Sequence, residues 1–264
     1  MPKLIGNIQF TGSLDNMSAY KMRGSDKIIL RTKGGATKEK IKKDPAFALT
    51  RQNNMEFGGC SKAGTSIRRA LAMLMHLSDT RISGQLNALA RIILKLDTLG
   101  ERGQRAICFS QHRYLLDGFS LNRQLLFNTI IRHPVSCTLF RNTGAANLVL
   151  PALIPGVNFY TPQQYHLYRF IIVLGVIPDM VYTPTGYRPA NPIQTNPNYI
   201  FTEWHAVKEP VPEQSFDLQL ENFTGLGDSN SLVLAVGIEF GYPMSNNITK
   251  TIKYAGCATI LATG

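Results

Sequence analysis

A chain of 264 residues, 44% hydrophobic and 17% charged, carries enough apolar material for a sizeable core and one or two domains. No apolar run approaches the roughly 18 residues of a membrane-crossing helix, so no membrane span is expected. The net charge of +11 is unevenly placed: residues 1–133 hold 22 Lys and Arg against 9 Asp and Glu, a balance of +13, and residues 134–264 hold 6 against 8, a balance of −2. Such asymmetry points to a polyanionic partner or to an acidic surface on another copy of the chain.

Residues 1–43 read as a β-ribbon arm with a basic linker. "NIQFTG" alternates, with Ile8 and Phe10 on one face and Asn7, Gln9 and Thr11 on the other. "MSAYKM" and "KIILRT", which carry Tyr20 and Ile29, follow as strands, separated by turn signals at "SLDN" and "RGSD". Three short strands without a local helix cannot bury both faces, so the arm is expected to dock on something. The opening residues lack the uninterrupted apolar core of a secretion signal. Synthesis in the cytoplasm is the expectation, and extracellular or cell-surface assembly by signal-independent export stays compatible with it. Lys33 leads into a strip of Lys38, Lys40, Lys42 and Lys43, read as a solvated linker or a phosphate-binding strip.

Residues 44–132 form a mainly helical section. Asp44 is a natural N-cap and Pro45 a natural first helical residue for "DPAFALTRQNNMEF". The next stretch, "FGGCSKAGTS", resembles a phosphate-binding loop. Gly59 and Gly64 have its spacing, but Thr65 stands where the lysine must be, Lys62 sits inside, and no strand precedes it. The plainer reading is a glycine break at Gly58 and Gly59 between two helices, the second running from about Thr65 to His76. In "RISGQLNALARIILKLDTLG", Leu86, Leu89, Ile93 and Leu96 fall at helical spacing between a start at Ser83 and a stop at Gly100. Arg68, Arg69, Arg81, Arg91 and Lys95 decorate these helices as solvated charge. "RYLLDGFSLNRQLLFNTIIRHP" holds a short helix, a strand at "GFSLN", or both.

Residues 134–264 read as all-β. The candidate strands are "SCTLFR", "ANLVLPA", "LYRFIIVLGVI", "NYIFTEWHAV", "SFDLQLE", "SLVLAVGIEFG" and "TIKYAGCATILA", separated by proline and glycine turns. Phe216, Leu218 and Leu220 alternate, and "SLVLAVGIEF" is apolar almost throughout, as a central strand is. "TPTGYRPANPIQTNPN" reads as a long surface loop. The fold class is α+β: an N-terminal β-ribbon arm, a central helical section and a C-terminal antiparallel β-sandwich, immunoglobulin-like or jelly-roll-like.

No catalytic, cofactor or metal constellation stands out. HExxH, GxSxG and GxGxxG are absent. Cys60, Cys108, Cys137 and Cys257 are far apart, without metal-ligand spacing, and read as free or buried thiols. Cys108 and His112 would share a helical face, yet lack a third orienting group. Tyr182 and Tyr187 flank a proline turn with no acidic residue near in sequence. In "TEWHAV" strand alternation puts Glu203 and His205 on a solvated edge and Trp204 on the buried side.

Three segments, "GNIQFTGSLDNMSAYKMRGSDKIILRTKGG", "RQNNMEFGGCSKAG" and the closing "VGIEFG…IKYAGCATIL", together with "LVLPALIPG", resemble a family of uncharacterised proteins common in the Bacteroidota. The resemblance spans nearly the whole chain. It implies a shared fold and brings no catalytic residue, cofactor or ligand.

The expectation is a non-enzymatic structural subunit that assembles with copies of itself into a filament, tube or ring, its arm adding strands to a neighbour's sheet. Head-to-tail contacts fit the opposite charge signs of the two halves. The alternative is a nucleic-acid-binding protein that sets the basic half on phosphates, although Tyr20 is nearly alone among the basic residues as an aromatic. An enzyme whose site the fold assembles, and carbohydrate binding by the sandwich loops, stay open.

Overall fold

The computed structural model describes residues 3–4, 10–22, 26–192, 195–245 and 248–264. They form two compact units, residues 1–51 and 52–264. Helix and strand both contribute heavily, 26% and 38%, so the protein is a mixed α+β one.

The first unit holds β1 (Lys3–Leu4), β2 (Gly12–Leu14), β3 (Met17–Lys21) and β4 (Ile28–Thr32), hydrogen-bonded in the order β1-β4-β3-β2. Asp15 and Asn16 turn β2 into β3, and Asp15 adopts φ 44°, the left-handed backbone that a tight hairpin turn demands. Ile8 lies outside the described residues. Phe10 is half-buried and precedes β2, so the described strand begins two residues later than Phe10. Tyr20 pairs with Ile29 across β3 and β4, and both are half-buried. The lysine strip is a helix and not a linker: α1 (Lys38–Lys43), capped by the Thr37 hydroxyl, which accepts from the Lys40 amide. Lys38, Lys40, Lys42 and Lys43 are all exposed on it. Asp44 then caps a 3-10 turn over Pro45–Phe47, with Pro45 first, as the sequence predicts.

Next come α2 (Ala48–Ala70), a 3-10 helix over Ala72–Leu77, and α3 (Ile82–Leu96). Leu86, Leu89 and Ile93 face the core, while Leu96 is exposed. After 3-10 turns at Phe109–Gln111 and Arg113–Leu115 comes α4 (Phe127–Ile130). In "GFSLN" only Ser120 makes a bridge, to Thr259. The strands that follow are β5 (Ser136–Phe140), β6 (Ala145–Leu150), β7 (Leu167–Pro178), β8 (Met180–Thr183), β9 (Gly186–Pro189), β10 (Asn198–Phe201), β11 (His205–Ala206), β12 (Gln214–Gln219), β13 (Asn230–Ser245) and β14 (Ile248–Thr263).

The second unit is organised by an antiparallel five-stranded sheet of order β10-β7-β13-β14, with β11 also on β7. The "SLVLAVGIEF" strand is central, as its continuous apolar run requires. On one face, Ile67, Leu71, Leu86 and Ile93 from the helices pack on Ile171, Val173, Val233 and Ala235. On the other, Leu148, Leu150 and Leu218 of the three-stranded sheet β12-β6-β5 pack on Ile172, Leu174, Leu234 and Val236.

Three local expectations need correction. "FGGCSKAGTS" is no break and no loop: it lies inside α2, whose amides are used by the helix. The proline-rich stretch after β7 contains a hairpin, β8–β9. The two features explain each other. A Cβ at Gly59 would sit 2.8 Å from the Tyr187 ring, so glycine lets β9 close on α2. Lys62 Nζ donates to the Tyr187 carbonyl at 2.8 Å, and the Tyr187 hydroxyl donates to the Arg105 carbonyl at 2.8 Å. Third, "NYIFTEWHAV" is two strands. Phe201 pairs with Ile171 and His205 with Tyr168, and the Thr202 amide donates to the Phe170 carbonyl. Glu203 and Trp204 therefore oppose the single residue Arg169, a bulge that breaks the expected alternation. Trp204 is half-buried, not buried.

The two neighbouring glycines should respond oppositely to alanine. Gly58→Ala meets nothing within 4 Å and should leave stability unchanged or raise it by up to about 1 kcal/mol. Gly59→Ala should cost about 1–3 kcal/mol by overpacking the Tyr187 contact. Urea unfolding of both variants measures this; equal effects would contradict a continuous helix packed on Tyr187.

Candidate functional site

Glu239 and Asp179 are the two buried carboxylates among the described residues. Burying a carboxylate is costly unless it is paired, so each marks a place where the fold has assembled partners. Glu239 lies on β13, in register with Arg169 on β7 and with Gly256 on β14. Arg169 Nε donates to Glu239 Oε1 at 2.5 Å. His76 Nε2 lies 2.8 Å from Oε2 and, since a carboxylate only accepts, carries the proton there.

Neighbouring groups fix this arrangement. The Arg169 guanidinium lies 4.4 Å from the Phe201 ring centre and 4.6 Å from that of Trp204, so the bulge supplies its aromatic cover. Gly256 has φ +118°, and a Cβ there would clash with the Ile238 carbonyl. The His76 side chain is 47% exposed and the Glu239 side chain 3%. Burial alone would push Glu239 up; hydrogen bonds from His76 and Arg169, and their charge, outweigh it and hold the carboxyl below its ordinary value. Chemically this is an imidazole oriented by a carboxylate, the second and third members of a relay. Among the described residues the His76 ring makes its hydrogen bond to Glu239.

Asp179 accepts from the Ser110 amide at 2.8 Å and the Ser110 hydroxyl at 2.5 Å. Burial pushes this carboxyl up despite those bonds. Cys108 and His112 flank the 3-10 turn of Ser110 and do not share an α-helical face. They line one cleft of about 440 Å³ with Asp97 and Tyr182. Burial, then the Asp179 and Asp97 charges, push the Cys108 thiol up to about 11, opposite to what a nucleophilic thiolate requires. Cys60 and Cys257 are buried, Cys108 and Cys137 half-buried, and all four are free. No group of three His, Cys, Asp or Glu among the described residues could hold a metal ion, and none of the helices is long and apolar enough to cross a membrane.

The arm residues Phe10, Tyr20 and Ile29 and the lysines of α1 all belong to the first unit, and the Glu239 and Asp179 clusters to the second. The acidic residues Glu203, Glu209, Glu213, Asp217 and Glu221 are exposed, the last three on or beside β12. Comparison with family models, with curated proteins and with solved structures finds no match, so the functional reading rests on this geometry.

The Glu239 cluster makes a pH-dependent contribution to stability. With the folded pKa below the ordinary 4.5, that contribution is complete above pH 4.5 and is lost as pH falls through the folded value. Glu239→Gln should cost about 3 kcal/mol at neutral pH, the low end for breaking a buried pair because Arg169 keeps some water. The gap to the parent protein should narrow below pH 4.5. Denaturant midpoints from pH 3 to pH 7 check this; a gap that is flat with pH would show that the Glu239 charge contributes nothing.

Proposed function

We propose that the protein is a non-enzymatic structural subunit that assembles with copies of itself, its arm adding strands to a neighbour's sheet. One observation carries this reading. The first unit is a four-stranded sheet in which Ala19 and Ile28 are the buried hydrophobic side chains among the described residues. Leu14 and Met22 are more than half exposed, and every residue of the edge strand β2 faces solvent. A sheet that has so little core needs apolar cover from elsewhere, and an open edge is a template for further strands.

A matching surface exists on the second unit. β12 is an edge strand of its sheet, and Glu213, Asp217 and Glu221 are exposed along it. Residues 1–51 hold 11 Lys and Arg against 4 Asp and Glu, a balance of +7. Opposite charge on donor and acceptor favours a head-to-tail contact, which propagates into a ring or a filament. The end of the β13–β14 hairpin adds exposed Tyr242, Met244 and Ile248 as further contact surface. We read the two sheets of this unit, which share an apolar core, as a sandwich of immunoglobulin-like or jelly-roll-like kind.

The exposed lysines of α1 favour one second reading, binding of nucleic-acid phosphates. Two experiments separate the readings. Electron microscopy and sedimentation of the full chain should show ordered oligomers, and deletion of residues 1–32 should leave single subunits or an aggregating core. Unchanged assembly after the deletion would remove the arm from the mechanism.

Changing Lys38, Lys40, Lys42 and Lys43 to glutamine should slow assembly only mildly, since exposed ion pairs contribute about 0–1 kcal/mol each. Under the phosphate reading the same variant instead loses a steep affinity for duplex DNA, with a log–log salt slope near −0.9 × 4, measured by filter binding across a salt series.

A further inference from the structure

The second unit carries a cleft of about 1010 Å³ between residues 155–166 and 206–209. Its lining includes Tyr160, Tyr165, Gln163, Gln164, Lys208 and Glu209. Both tyrosine rings are supported on one face by another side chain. The Arg132 guanidinium sits 3.9 Å from the Tyr160 ring centre. Phe240 stacks on Tyr165 at 4.3 Å with the planes 19° apart. Both tyrosines line the cleft, each with a neighbouring side chain covering one ring face.

The walls are held by backbone and side-chain hydrogen bonds. Tyr160 Oη donates to the Gly156 carbonyl at 2.7 Å, and Asn158 both accepts from the Ile154 amide and donates to the Ala152 carbonyl. Leu153 and Val211 exchange amide hydrogen bonds at 2.8 and 2.9 Å, and the Val207 amide donates to the His166 carbonyl. A site held this way binds without ordering itself first. Behind the lining, Tyr168 packs on Phe159 at 4.5 Å and on His205 at 5.8 Å. Tyr168 Oη and His205 Nε2 are buried with no hydrogen-bond partner among the described residues.

We propose that this cleft binds a neutral oligosaccharide. Flat aromatic faces carry negative charge that attracts the C–H face of a pyranose ring. The side amides of Gln163 and Gln164 each offer donors and an acceptor, matching hydroxyl groups that do both. Lys208 and Glu209 are the charged residues of the lining and opposite in sign, so the lining itself carries no net formal charge to select an anion. Concave, mostly preformed clefts of this size, with a few convergent polar groups, are where small ligands bind. The inference is independent of self-assembly through the arm.

Isothermal titration of the full-length protein with maltoheptaose, cellohexaose, chitohexaose and mannohexaose tests it. At least one sugar should bind saturably. Tyr160→Ala should weaken that binding about tenfold, equal to about 1.4 kcal/mol. The exposed pair Gln163→Ala with Gln164→Ala should weaken it without altering the unfolding midpoint, which keeps the test valid if Tyr160→Ala perturbs the fold. Lys38→Gln, in the other unit, should bind as the parent does. The proposal is overturned if none of the four sugars binds, if Tyr160→Ala and the glutamine variant bind as tightly as the parent, or if an unstructured peptide displaces the sugar at equal concentration.

Discussion

Strands β7 and β13 present apolar side chains to both of their faces, and the unit of residues 52–264 is arranged to keep water from both. β13 is buried at every position from Asn230 to Gly241, and β7 at every position from Phe170 to Pro178. A strand of this kind cannot lie at a surface. One face therefore takes the helices and the other takes the small sheet β12-β6-β5. Close approach matters on the helical side, because a layer held off the sheet loses dispersion contacts along its whole length. At Gly59 the helix backbone meets the Tyr187 ring directly, and the hairpin β8–β9 seals the layer there.

The two buried carboxylates interrupt this apolar scheme, and each ties a peripheral segment to the central sheet. Glu239 holds the 3-10 helix that carries His76. Asp179 holds the turn that carries Ser110. Their acidities move in opposite directions for one reason. Glu239 meets an arginine and an imidazole at hydrogen-bond distance, so its charged form is favoured over the cost of burial. Asp179 meets a hydroxyl and an amide, and Arg113 acts on it through charge alone, so burial prevails.

The first unit obeys a different physics. Its sheet is paired by backbone hydrogen bonds, yet among the described residues Ala19 and Ile28 are the buried hydrophobic side chains, and a sheet is stabilised mainly by what its faces cover. The proposed assembly follows from that deficit. The cleft at residues 155–166 follows from the opposite condition, a loop whose half-buried tyrosines are held, Tyr160 by its hydrogen bond to Gly156 and Tyr165 by stacking on Phe240.

Much of this was written locally in the sequence. Unbroken apolar runs marked β7 and β13, alternation marked β12, and Asp44-Pro45 marked a helical start, because each depends on neighbours within a few residues. The lone charge in "SLVLAVGIEF" was also a legible signal: a carboxylate in a strand covered on both faces must find partners. Which partners was decided by tertiary structure, since His76 and Arg169 reach Glu239 only after the helices dock and β7 takes its register. The same holds for "FGGCSKAGTS". Locally two adjacent glycines weaken a helix, and a break was the natural reading. In the fold, Gly59 is needed inside the helix because the Tyr187 ring arrives from a hairpin that its own prolines and glycines disguise as loop. Local propensity is settled by backbone entropy and nearest neighbours, whereas close approach is settled by contacts that exist only once the chain is folded.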